Sequence, residues 1–136
     1  YLDITTGVSK KSGFSKSVKP SEAVSYLLKN GIPLQRITLS SDGNGSMPEF
    51  SEDGNLLRVL VSPVDSLLAE LRDLVLQEGM KLEEALTLST RNVSEHLLLH
   101  GKGKIERGAD ADLLILKDGT LELKAVISGG KLRISL

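Results

Sequence analysis

The chain has 136 residues, 40% of them hydrophobic, which is enough for one domain with a real core. Its 17 basic and 18 acidic residues leave a net charge of −1, which gives no electrostatic footprint for nucleic acid or an anionic membrane surface. Without cysteine there are no disulfides, thiolate zinc sites or cysteine nucleophiles, a composition that fits a reducing, cytoplasmic setting, and no apolar run reaches the roughly 20 residues that span a bilayer.

The first residues, Tyr1-Leu2-Asp3-Ile4-Thr5-Thr6, carry neither an initiator methionine nor a signal pattern and read as the middle of a strand. The expectation is a piece of a longer protein. Val8 to Lys19 reads as a serine- and lysine-rich surface loop, or as a flap over a site. Pro20 to Asn30 places Ala23, Val24, Leu27 and Leu28 on one helical face, and Gly31 and Pro33 end it. Arg36 to Ser41 is the next strand. Strand, helix, strand in this order predicts a βαβ unit with parallel strands.

That second strand runs into Asp42-Gly43-Asn44-Gly45-Ser46. Polar residues at the C-terminal end of an α/β strand line sites, and glycines beside them let backbone approach a ligand. Asn44 to Asn55 reads as a long polar loop, followed by a short apolar run from Leu56 to Val61. Ser62-Pro63-Val64-Asp65 opens a helix with serine as cap, buried through Val64, Leu67, Leu68, Leu71 and Val75. A shorter helix follows around Leu82, Ala85 and Leu86. Another starts near Ser89 or Thr90, with Val93, Leu97 and Leu98 inward. Beyond Gly101 come a glycine-spaced turn, a strand over Ala111 to Leu116, and a closing hairpin of Leu123–Ser128 and Lys131–Ser135 around Gly129-Gly130.

Two stretches carry a resemblance. Ile37-Thr38-Leu39-Ser40-Ser41-Asp42-Gly43-Asn44-Gly45-Ser46 resembles the strand-eight segment of isoaspartyl dipeptidases, members of the amidohydrolase superfamily. Leu88-Ser89-Thr90-Arg91-Asn92-Val93, continuing through Gly101-Lys102-Gly103-Lys104-Ile105 to Gly108-Ala109-Asp110-Ala111-Asp112-Leu113, resembles the superfamily's exit from its barrel. The resemblance implies an α/β fold: the last two βα units of a (β/α)₈ TIM barrel over residues 1–100, then strands of a small β-sandwich over 101–136. It implies hydrolysis of β-aspartyl dipeptides with two Zn2+ ions and an activated hydroxide, and a homo-oligomer. Asp42 matches the aspartate that contacts one metal and moves the proton. Ser46 matches a serine that binds the substrate carboxylate. The remaining metal ligands of the family come from earlier strands, so this chain alone is expected to hold no zinc site and to hydrolyse nothing.

Alternatives stand beside these readings. Asp42 also fits a turn aspartate, and Ser46 a loop hydroxyl bonded to its own backbone. The exit pattern is shared with dihydroorotase- and N-acyl-amino-acid-type hydrolases, and a non-catalytic domain derived from such an enzyme is a further reading. Asp42, Asn44 and Ser46 have the first three spacings of a calcium loop, with Asp53 at its end, but Met47 stands where that loop needs glycine. His96 and His100 have i, i+4 spacing, yet without a third ligand they read as ordinary histidines. Lys102 and Lys104 between glycines lack the pattern of a phosphate loop and read as a turn. Thr5 and Thr6 end a strand, and Asp110 and Asp112 flank one, in structural roles.

Overall fold

The computed structural model describes residues 1–7 and 17–136. The loop predicted from Val8 to Lys19 therefore falls almost wholly outside the described residues. The βαβ unit is present as β1 (Leu2–Thr5), α1 (Pro20–Lys29) and β2 (Ile37–Ser40). The strands pair in parallel from Leu2↔Ile37 to Thr5↔Ser40. Strand alternation then puts Leu2, Ile4, Ile37 and Leu39 on one face and Asp3, Thr5, Thr38 and Ser40 on the other. Ile37 and Leu39 join the core. On the polar face Asp3 accepts hydrogen bonds from Thr38 Oγ1, at 2.6 Å, and from Ser40 Oγ.

Helix α1 starts on proline, whose missing N–H costs nothing in a first turn. It closes at Asn30 with Gly31 at φ +83°, and the Gly31 and Ile32 amides bond back to Leu28 and Leu27. Val24 is its fully buried apolar contribution to the core cluster.

The stretch predicted as a polar loop from Asn44 to Asn55 instead contains β3 (Ser46–Phe50). It pairs antiparallel with β4 (Leu56–Val61), from Ser46↔Val61 to Phe50↔Leu56. Polar composition misled here because a ribbon lying in solvent needs no continuous apolar stripe; cross-strand pairing holds it, and Pro48 is tolerated because β3 is an edge strand. Only Met47 of β3 is buried.

Helix α2 (Ser66–Leu76) begins at Ser66, not directly after Ser62. Asp65 occupies the cap position and its side chain makes no cap bond. Leu71 and Leu74 are buried, Leu67, Leu68 and Val75 pack around them, and Val64 turns outward. Helix α3 (Leu82–Thr87) follows as expected, and α4 (Arg91–His96) closes the layer. Because α4 ends at His96 and Leu98 takes φ +55°, the leucines expected inward point out: Leu97 is 63% and Leu98 74% exposed. Asn92 and Ser94 are buried in their place.

The C-terminal segment forms an antiparallel sheet of β5 (Leu113–Leu116), β6 (Leu123–Ser128) and β7 (Lys131–Ser135), in that order. Its β5–β6 turn reaches the helices through Leu121 and Leu116, with Arg72 Nε donating to the Thr120 carbonyl at 3.2 Å. The chain is thus a mixed α/β assembly. Its parallel sheet has two strands among the described residues, so no closed barrel forms. No helix among the described residues is long and apolar enough to cross a membrane.

Candidate functional site

The site lies where the parallel pair ends. Beyond Ser40 the chain turns through Asp42 at φ +47° and Asn44 at φ +65°, two left-handed residues of a type that tolerates this conformation. Gly43 and Gly45 do not take positive φ; they are required for space. A Cβ on Gly45 would lie 2.9 Å from Asp42 Oδ1, and one on Gly43 would lie 2.6 Å from Val64 Cγ1. The Gly45 amide bonds the Asp42 carbonyl at 2.8 Å, closing a turn that folds the Asp42 carboxylate over Gly45.

Hydrogen bonds hold this turn from two sides. Thr6, 4% exposed, donates its amide to the Ser40 carbonyl at 2.7 Å. Its hydroxyl lies 3.1 Å from that carbonyl and 2.8 Å from Ser66 Oγ. Ser66 Oγ in turn donates to the Pro63 carbonyl at 2.9 Å, so the start of α2 is tied to both strand ends. From the other side Ser62 is bonded to Ser41, Asn44 and Gly45.

Asp42 is exposed, and its carboxylate has no hydrogen-bond or ion-pair partner among the described residues. Ser46, also exposed, opens β3. Because Ser46 to Phe50 are committed to a strand ladder, the twelve-residue calcium loop of the alternative reading does not form. No group of three or more His, Asp or Glu side chains among the described residues could hold a metal ion. The single carboxylate of Asp42 does not by itself make a metal site.

The other candidates have structural partners. His96 and His100 do not share a helix face, since α4 ends at His96. The His96 ring lies against Tyr1, tilted by 52° with the ring centroids 3.5 Å apart, and its Nε2 lies 3.2 Å from the Gln35 carbonyl. Lys102 pairs with Asp110, at 3.0 Å, and with Asp112. The Lys102 ammonium, then the Gly129 amide, hold the Asp112 carboxyl below its ordinary value, and this clasp fixes the glycine-lysine-glycine turn against β6. Lys104 pairs with Glu106. Thr5 ends β1 on its polar face, and Thr6 is the buried link described above.

Sequence reasoning missed Ser62 and Gly7. Ser62 was expected to cap α2; the signal available was Ser-Pro, and it pointed to the wrong partner. Asn92, part of the exit pattern, proves to be a buried clamp: its Nδ2 donates to the carbonyls of Leu34 and Ile37, both at 2.8 Å.

Comparison with known proteins agrees with this layout. The pattern of the Amidohydrolase family matches residues 11–133. A beta-aspartyl dipeptidase from Fervidobacterium islandicum AW-1, solved in complex with beta-Asp-Leu dipeptide, is 32% identical with a TM-score of 0.76, over 96% of this chain and 32% of that one. A second structure of beta-aspartyl dipeptidase from that organism gives 29% identity and a TM-score of 0.70, over 96% of this chain and 30% of that one. The N-acetylglucosamine-6-phosphate deacetylase of Thermotoga maritima shares the fold at 19% identity and a TM-score of 0.70, over 99% of this chain and 39% of that one. The chain spans about a third of the length of the solved chains it matches. It belongs to the amidohydrolase family.

Proposed function

We propose that this chain supplies the proton-handling rim of a metal-dependent amidohydrolase that cleaves β-aspartyl dipeptides. The observation that carries this reading is Asp42: a carboxylate without a partner among the described residues, held in a left-handed turn at the C-terminal end of a parallel strand. A turn aspartate that served only its own loop would spend its oxygens on nearby amides. The 32% identity to a beta-aspartyl dipeptidase supports the substrate class. On this reading the two parallel strands are the last two of a (β/α)₈ barrel, residues 1–100 belong to it, and 101–136 belong to a β-sandwich.

Asp42 would be one ligand of a Zn2+ ion, with no further cluster of ligands for it among the described residues. The ion, when bound, polarises the scissile carbonyl and makes water a stronger acid. The Asp42 carboxylate takes the proton of the attacking water and passes it to the departing amine nitrogen. The Ser46 hydroxyl donates a hydrogen bond to the substrate carboxylate and orients the dipeptide.

The test is a substrate panel on the full-length polypeptide that contains this chain. Chelator-sensitive hydrolysis of β-Asp-Leu is expected, and Asp42→Asn lowers kcat by about a hundredfold to ten-thousandfold, the worth of a positioned proton carrier. Ser46→Ala raises KM more than it lowers kcat. Strong preference for a cyclic amide or an N-acyl amino acid would replace the dipeptidase reading.

A further inference from the structure

We propose that Ser62 is the positioning residue for the Asp42 carboxylate, and that position 7 is glycine to give the Ser62 hydroxyl room. The proposal rests on the reading of Asp42 as the proton carrier. Ser62 is 1% exposed and comes back to the turn at the far end of the β3–β4 hairpin. Its Oγ donates to the Ser41 carbonyl at 2.7 Å, its amide donates to the Gly45 carbonyl at 2.9 Å, and its carbonyl accepts from the Asn44 amide at 3.0 Å. These three bonds bracket Asp42 on both sides in sequence.

The backbone pair could be made by any residue at position 62. The hydroxyl bond could not. It lands on the carbonyl of the peptide unit that leads into Asp42, so it fixes the plane from which the Asp42 Cα–Cβ bond departs. That matters because two non-glycine residues within three positions, Asp42 and Asn44, sit at positive φ. Such a conformation persists only where the surroundings over-determine it.

Gly7 supplies the clearance. A Cβ there would lie 2.0 Å from Ser62 Oγ and 3.1 Å from the Ser41 carbonyl oxygen. Its own φ is not in the left-handed region, so conformation does not demand glycine. Space does. The end of β1, the return of β4 and the Asp42 turn therefore meet at one hydroxyl, and the hairpin serves to deliver it.

The experiment compares wild type, Ser62→Ala, Asp42→Asn and the double variant in the full-length polypeptide, with β-Asp-Leu as substrate. Ser62→Ala is expected to lower kcat by about tenfold to a hundredfold, the usual effect of displacing a reacting group by a fraction of an ångström to an ångström. KM stays within about twofold, because the substrate contacts are untouched. Amide exchange at Asn44 and Gly45 quickens. In the Asp42→Asn background the serine change costs nothing further. If Asp42→Asn retains full activity, the reading of Asp42 fails and the positioning role fails with it. If Asp42→Asn is impaired while Ser62→Ala matches wild type in kcat and exchange, the positioning role alone is overturned. Equal losses from Ser62→Ala in both backgrounds also overturn it, since the serine then acts on the fold and not through Asp42. Should Ser62→Ala fail to fold, Ser62→Cys keeps the volume with a weaker donor; an intermediate kcat supports the role, and a wild-type kcat overturns it.

Discussion

Asn92 is a buried amide on a six-residue helix, and its single NH2 group serves two carbonyls at the mouth of β2, those of Leu34 and Ile37. Removing it takes the Nδ2 donor from both carbonyls, although the Leu34 carbonyl keeps the Ile37 amide. Asn92→Ala is therefore expected to destabilise the protein by about 2 kcal/mol, read as a lower urea midpoint at unchanged m-value. Asn92→Asp should cost at least as much, because a carboxylate has no N–H to donate. Gly7→Ala is the steric counterpart. The new methyl meets Ser62 Oγ and the Ser41 carbonyl, and overpacking of that kind costs about 1–3 kcal/mol.

At the scale of elements, α1 and α2 are held together by a polar edge as well as by Val24 and Leu74. Glu70 of α2 accepts the Ser21 amide at the start of α1, at 3.0 Å. Lys19 Nζ lies 2.6 Å from Asp73 and 3.1 Å from Gln77 Oε1, also on α2 or at its end. Burial pushes the Glu70 carboxyl above its ordinary value of 4.5, and the Ser21 N–H partly offsets it. A raised carboxyl binds its proton more tightly in the folded state. The resulting stabilisation is present below the ordinary value and is lost as pH rises from there through the folded value. Glu70→Gln removes that slope while keeping an acceptor for Ser21, so stability at pH 7 should be equal or higher. Glu70→Ala should lose about 1 kcal/mol, since a helix N-terminal amide is left without a partner. Denaturation midpoints across pH 4 to 7 separate the two (about pH 4 being the lower limit set by ordinary carboxylates). The Lys19 ammonium is raised by Asp73 first, so its smaller, solvent-screened contribution is lost as pH climbs past 10.5 through the folded value.

At the scale of the molecule, large apolar surfaces face outward. Leu57, Val59 and Val61 of β4 are more than half exposed, as are Leu114 and Leu132 of the C-terminal sheet. Among the described residues no third strand joins the parallel pair. Exposed apolar strands with unpaired edges attract further strands. With the chain spanning about a third of its solved relatives, the expectation is that these 136 residues alone self-associate, bind a hydrophobic dye, and show no chelator-sensitive cleavage of β-Asp-Leu. Light scattering and the dipeptide assay, run beside the full-length polypeptide, check this; a monodisperse and active isolated chain would contradict it.

The sequence by itself determined what is local. Apolar spacing and the Gly31-Ile32-Pro33 stop set α1; the β-branched runs set β1 and β2; Gly129-Gly130 set the last hairpin. The Asp-Gly-Asn-Gly-Ser turn at a strand end also marks Asp42 as a candidate, and the family resemblance adds Ser46. Tertiary structure decided what depends on partners distant in the chain. Ser62 fits a helix cap by every local rule, yet the Ser41 carbonyl, 21 positions earlier in the chain, captures its hydroxyl. Ser46 to Phe50 looks like loop until β4 pairs with it. Gly7 is an unremarked strand end until a hydroxyl from across the fold needs its empty space. Propensity and periodicity act over a few residues, whereas a buried hydroxyl or an exposed ribbon takes its conformation from whichever partner folding brings within reach.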